Sequence, residues 1–184
     1  MTSMSAQAGD ARTPVMLDGF EVLDACHRET ILRLGELAEL VASLDGGTPG
    51  AATRQAAAAI VAFFSTTARQ HHEDEEKHVF PTLLAVGNDE VIQAVNRLRQ
   101  DHGWLQADWN EIEPQLDALA SGQAWVDLDV LREGAEIFVA LSRDHVTLEE
   151  AFIYPQARAA MRDPERRAMG REMAARRRAQ RGKS

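Results

Sequence analysis

The sequence contains one cysteine, one tyrosine, six prolines and no long apolar run. Each scarcity excludes something. The lone Cys26 rules out an internal disulfide framework and a thiolate metal cluster, so any metal chemistry must rest on nitrogen and oxygen ligands. The longest stretch without a charged side chain lies between Arg54 and Arg69, well short of the roughly 20 apolar residues a membrane helix needs. The opening "MTSMSAQAGDARTPV" has neither a basic front nor an apolar centre, so it matches no secretory signal or lipidation motif. Residues 1–17 are expected to be a disordered lead, and the protein cytoplasmic.

What is present is a chain of 184 residues, 45% hydrophobic and 27% charged, the composition of one soluble domain with a real core. Its net charge of −9 is uneven, because nine basic and three acidic side chains follow from Arg162 onward and leave −15 on residues 1–161. Apolar residues recur at helical spacing in four blocks, and few strand signals interrupt them. The first runs from about Asp18, where "DGFE" has the form of a capping box, to about Leu44; "DGGTPG" ends it. The others run from about Thr53 to Val86, Asp89 to Ala120 and Asp127 to Met161. Short connections between long helices imply antiparallel neighbours. The expected fold is therefore all-α: an up-down-up-down four-helix bundle over residues 18–161, followed by a basic tail, 162–184, that "RDP" starts as a further helix.

Each apolar stripe is interrupted by one histidine. The first reads Phe20, Leu23, His27, Ile31, Leu34 and Val41; the second Ile60, Phe64, Thr67, His71 and Glu75. The third carries His102 between Leu98 and Leu105, and the fourth carries His145 between Leu141 and Leu148. Counted from the end of the bundle that holds the Leu44/Thr53 and Ala120/Asp127 turns, His27 lies 17 residues down and the other three lie 18. At about 1.5 Å rise per residue the four imidazoles fall in one layer. A carboxylate one turn on accompanies two of them, His71 with Glu75 and His145 with Glu149. The segments repeat without a gap: "HHEDEEKHVFP" aligns with "HVTLEEAFIYP".

A single histidine in a core stripe is usually just hydrogen-bonded. Four level histidines with two acids are different, since burial without a metal would leave charged groups unpaired at several kcal/mol each. Imidazole and carboxylate suit zinc, iron, manganese, copper or nickel, and the set is too large for one tetrahedral zinc. Two ions, each held by two histidines and sharing Glu75 and Glu149, would use every group. Around this set, His72 is expected at a helix interface or in solvent, with ligation as the alternative. Glu76 and Glu150 are candidate extra oxygen ligands, set against solvation or an interhelical ion pair. His78 reads as packing. Trp104, Trp109, Phe64, Phe138, Phe152 and Tyr154 read as core first and as pocket walls second. Pro81 is expected to kink its helix, and Pro155 to kink or end its own.

These residues resemble the hemerythrin-like, or HHE cation-binding, domains. The resemblance covers about residues 18–161 and rests on His27, the "HHEDEE...FP" box, Asp101-His102 and the "DHVTLEE..IYP" box. It implies a di-iron centre with bridging carboxylates, zinc or manganese being possible substitutes, and dioxygen or a related small molecule at an open iron position. Oxygen-carrying members have a second histidine one turn after the first on the third helix, where this chain has Gln106. They also favour an aspartate five residues after the last histidine, where this chain has Glu150, with Glu149 at four. The resemblance thus points as readily to sensing, iron handling, or an enzyme acting on peroxide, nitric oxide or ferrous iron as to oxygen carriage. A ferritin-like site is disfavoured, because Ser142 occupies the position three before His145 where that arrangement needs a glutamate. The tail carries no aromatic or nucleic-acid-binding fold, which argues against nucleic acid. Docking onto the acidic body, or a metal-stabilised module that directs the tail to a partner, are the readings its charge supports.

Overall fold

The computed structural model describes residues 18–123 and 126–181, so the expected lead falls outside the described residues. Among the described residues the chain is all-helical, with five helices and no strand. Helix α1 spans Gly19–Ser43. Its start is fixed by the capping box: Phe20 N donates to Asp18 Oδ1 at 2.9 Å, and Asp18 N donates to Glu21 Oε2 at 2.9 Å. Helix α2 covers 51–86, α3 is Asp89–Ala120, α4 covers 128–160 and α5 is Asp163–Arg181. Asn88 and Asp127 cap α3 and α4 by accepting backbone N–H bonds, as short polar side chains before a helix do. Gly46 and Gly122 take the left-handed region (φ 84° and 74°) in the two turns at one end of the molecule, where a side chain would be strained.

The apolar stripes place α1 against α2 and α4, and α3 against the same two helices. Two clusters of buried side chains result. One contains Leu34, Leu37, Ile60, Phe64, Trp109, Ile112 and Phe138. The other contains Phe20, Leu23, Phe80, Leu98, Tyr154 and two methionines of α5. No helix among the described residues is long and apolar enough to cross a membrane.

Helices α2 and α4 are not uniform. In α2, π turns at Phe63–Ala68 and Glu75–Val79 separate the α-helical pieces Ala51–Ala62, Arg69–Asp74 and Phe80–Val86. In α4 one π turn, Glu149–Ile153, lies between Leu128–Leu148 and Tyr154–Ala160. Each of the later turns ends one residue before the Phe-Pro or Tyr-Pro step, so the widened turn falls where proline cannot donate to the helix ladder. The chain continues helically past both prolines, to Val86 and to Ala160, so of the two alternatives for Pro155, a kink or an end, the end does not occur.

Several inward positions differ from the expected stripes. Ala68, four residues after Phe64, is buried whereas Thr67, three after it, is only half-buried. On α1 the inward position next to His27 belongs to Thr30, while Ile31 is 43% exposed. On α4 it belongs to Ser142, with Leu141 half-buried. Trp104, expected in the core, is 51% exposed.

Helix α5 lies on α1. Met169 and Met173 are buried, and Met169 sits so close to Gly19 that an added Cβ there would fall 2.3 Å from its methyl group. Its cations meet acids of the body: Arg166 Nε to Asp18 Oδ2 at 2.8 Å, and Arg176 with Arg177 on Asp74. The docking that the charge asymmetry suggests is made within the same chain.

Candidate metal centre

The four stripe histidines and the two acids converge in the core, each buried to 6% exposure or less. The heights counted along the sequence hold in space, for each imidazole lies within 3.5 Å of one of the two acids. Glu149, on α4, places Oε1 3.1 Å from His145 Nε2 on its own helix and Oε2 3.1 Å from His27 Nε2 on α1. Glu75, on α2, places Oε1 3.3 Å from His71 Nε2 and Oε2 3.5 Å from His102 Nε2 on α3. Each carboxylate spans two imidazoles on different helices.

Two groups of ligand atoms form as a result, with all atoms of a group within 4.8 Å of one another. One comprises His27, His71, Glu75 and Glu149; the other comprises His72, His102, His145 and Glu75. Glu75 belongs to both. Of the two places expected for His72 it takes the helix interface: it is half-buried and stacks on His102 of α3 with ring centroids 4.1 Å apart at 13°. A turn of about 100° from His71 points it to the α3 side of the centre, and its aligned counterpart in α4 is the apolar Val146. The two groups are thus unequal, two imidazoles in one and three in the other.

Three of the outer ring nitrogens also face acids. Glu150 Oε1 lies 3.1 Å from His27 Nδ1, Glu76 Oε1 lies 2.8 Å from His102 Nδ1, and Asp101 Oδ2 lies 3.7 Å from His145 Nδ1. Glu76 and Glu150 are half exposed and outside both groups, and each lies against an imidazole of a facing helix. Such partners fix the tautomer and raise the basicity of a ligating histidine, and losing one costs about 10–100-fold in metal affinity. Glu76→Ala or Glu150→Ala is accordingly expected to weaken metal retention about 10–100-fold in a chelator competition while leaving the number of bound ions unchanged. A fall in stoichiometry would instead mark these acids as ligands.

Tyr154 is the residue the sequence undervalues. Its hydroxyl donates to Glu75 Oε1 at 2.5 Å and lies 3.2 Å from His27 Nε2, and its ring stacks on His27 at 5.1 Å. The repeat held the signal: the chain's one tyrosine stands where the other half has Phe80, which stacks in the same way on His102 at 5.5 Å. His78, by contrast, lies outside both groups and faces Glu172 of α5 at 3.3 Å.

Without a cation, burial and neighbouring charge oppose each other in the cluster. Burial pushes the Glu75 carboxyl up, but the imidazoles of His71 and His102 outweigh it and hold it well below its usual range. Burial likewise opposes charge on His145, yet Glu149, Asp101 and Glu75 raise it to about 10. Burial, then the neighbouring His102, drives His72 well down, which keeps it a neutral imidazole. Even so the network leaves His71 Nδ1 and Nε2, Glu75 Oε2, His102 Nε2, both ring nitrogens of His145 and both oxygens of Glu149 buried without a hydrogen-bond partner among the described residues. Orphaned buried polar atoms on this scale are rare, and each of these side chains, as neutral imidazole or as carboxylate, can offer a lone pair to a metal. The residues fit a cation.

Beside the centre is a cavity of about 40 Å³, walled by Phe64, Leu105, Trp109, Phe138 and Val146 and floored by His27, His71 and His145. Phe64, Trp109 and Phe138 pack on one another with centroids 5.1–5.4 Å apart, which makes the walls rigid and apolar.

An all-helical protein with two histidine–carboxylate groups sharing an acid in its core belongs among the metal-binding helical proteins. The family model of the hemerythrin HHE cation binding domain matches residues 18–157, and the chain belongs to that family. No curated protein matches it. The matched residues end before α5.

Proposed function

We propose that the chain is a non-haem di-iron protein of up-down-up-down bundle topology that binds dioxygen or a related small molecule, in oxygen, redox or iron sensing or handling. The ligands in this reading are His27, His71, His102, His145, Glu75 and Glu149, with His72 in the role that Gln106 leaves open. The observation that carries it is the division of the two carboxylates: Glu75 and Glu149 each present one oxygen to a histidine of α1 or α2 and the other to a histidine of α3 or α4. Two such acids are bridges for two ions, whereas one ion would leave half of these contacts without purpose. Nitrogen and oxygen donors in this number suit iron and leave positions for an exogenous ligand. Such a centre, when loaded, supplies redox-active metal at which a small oxidant binds. The protein's own part is to hold the acids apart and keep bulk water out with Phe64, Trp109 and Phe138. Tyr154 fixes the orientation of the Glu75 carboxylate.

Metal analysis of protein from iron-supplemented cells is expected to give about two irons per chain. One zinc, or none, would overturn the proposal. Spectra of the ferrous protein before and after air then separate binding from catalysis: a reversible change means carriage or sensing, and irreversible oxidation with turnover of peroxide, nitric oxide or ferrous iron means an enzyme.

A further inference from the structure

Three of the four stripe histidines have a carboxylate against the outer ring nitrogen: Glu150 for His27, Glu76 for His102 and Asp101 for His145. His71 has none. Its Nε2 is the nitrogen that faces Glu75, at 3.3 Å, so Nδ1 is its outer one, and that atom is buried without a hydrogen-bond partner among the described residues. The internal repeat points to the residue that belongs there. His27 aligns with His102 and His71 with His145, and the buried residues around them correspond as well, Leu23 with Leu98 and Leu34 with Trp109. The residue before His102 is Asp101, which faces His145 of the same hairpin at 3.7 Å. The residue before His27 is Cys26. It is 5% exposed against 2% for Asp101, so both side chains turn into the core at the same step of the repeat. By that correspondence the thiol on α1 meets His71 of α2 as Asp101 of α3 meets His145 of α4. The protonation of His71 agrees: burial opposes its charge, but Glu75 and then the Cys26 sulfur beside it raise the imidazole well above its usual range.

We propose that Cys26 is the positioning residue for His71, its sulfur facing Nδ1 where the other three histidines have a carboxylate, and that the ion held by His27, His71, Glu75 and Glu149 is therefore the more readily released of the two. The inference rests on the di-iron reading and ranks its two positions. The reason is acceptor strength. A carboxylate on the outer nitrogen fixes the tautomer and raises the basicity of the ligating one, whereas sulfur is a weak hydrogen-bond acceptor. Of the two imidazoles in the first group only His27 has an acid behind it. In the second group His102 and His145 both have one, and His72 adds a third nitrogen. Cys26 also packs in the apolar cluster with Leu34, Phe64 and Trp109. Packing by itself, however, would bear on the whole core and would not single out one ion.

The test uses the full-length, iron-loaded protein with an excess of a ferrous chelator, and release is followed by absorbance. The wild type should give up its iron in two phases of equal amplitude. Cys26→Asp is expected to slow the faster phase about tenfold or more and to leave the slower one in place, while Cys26→Ala should quicken the faster phase severalfold. In Mössbauer spectra of the loaded protein only one of the two iron signals should shift in Cys26→Asp, a selectivity that a change in packing would not produce. A single release phase in the wild type, both phases slowed alike in Cys26→Asp, or a faster phase that Cys26→Asp does not slow would overturn the inference and leave the di-iron reading standing. Should Cys26→Asp fail to fold, Cys26→Ala decides, and an unchanged faster phase there overturns the inference equally. If the wild type holds one iron or none, the di-iron reading falls and takes the inference with it.

Discussion

Replacing Glu75 with alanine is expected to reduce bound iron from about two ions per chain to less than one, a larger loss than any other single change at the centre. The reason is geometric. Glu75 is the one residue common to both groups, and it contacts His71, His102 and the Tyr154 hydroxyl from three different helices. Removing it takes an oxygen from each ion and leaves two buried imidazoles facing each other without an acid between them. In the metal-free chain the same change strands charged His71, and removing one partner of a buried pair costs about 3–5 kcal/mol. Thermal unfolding and metal analysis should therefore fall together. Glu75→Gln separates the two effects: it keeps the shape and a hydrogen bond from Tyr154, so the fold should survive while the metal is lost. Two ions retained in Glu75→Gln would show that Glu75 is a structural acid and that the centre is held by histidines alone.

How much of this was legible in the sequence depends on what kind of periodicity carried it. The helix ends were readable to within two residues because each is set by local chemistry: a capping acid at Asp18 and Asp127, Asn88 before α3, and glycine-bearing turns after α1 and α3. The burial of the four histidines was readable because each interrupts an apolar stripe at a common height, and that of Glu75 and Glu149 because each stands one turn after one of them. What failed was phase. Thr67 and Ala68 stand three and four residues after Phe64, so helical spacing alone does not choose between them, and Ala68 is the one buried. Thr30 and Ser142 were passed over because an apolar neighbour, Ile31 or Leu141, fits a helical stripe almost as well as the hydroxyl that takes the inward position. His72 was discounted for lacking a repeated partner, although asymmetry is what it contributes. Tyr154 and Glu150 act on His27, 127 and 123 residues away, contacts that no local pattern displays. The repeat does show afterwards how they arise: each box serves the histidine of the other hairpin, with Glu76 and Phe80 on His102 and Glu150 and Tyr154 on His27.

Deleting residues 162–184 is expected to lower the melting temperature by on the order of 10 °C, because α5 completes the core at the end that carries Asp74 and Tyr154. Two contributions act at once. Met169 and Met173 are buried against the cluster of Phe20, Leu23 and Tyr154, and losing one buried methionine side chain typically costs about 2–5 kcal/mol. Asp74 is 2% exposed, and its ion-pair partners are Arg176 and Arg177 of α5, so deletion leaves a carboxylate with no cation at a cost of about 3–5 kcal/mol. Relaxation of the exposed end and entry of water reduce the sum, and about 2–4 °C per kcal/mol applies to a chain of this length. The electrostatic part can be isolated, because Asp74→Asn removes the charge that the deletion strands. In the truncated chain Asp74→Asn should restore several degrees, whereas in the full chain it should destabilise by breaking the contact with Arg176. The neighbouring residue is Glu75, so the same deletion should quicken iron loss to a chelator, and Asp74→Asn in the truncated chain should slow it again. If truncation changes neither the melting temperature nor the rate of iron loss, α5 is a solvated extension, and its arginines are free for a partner outside the chain.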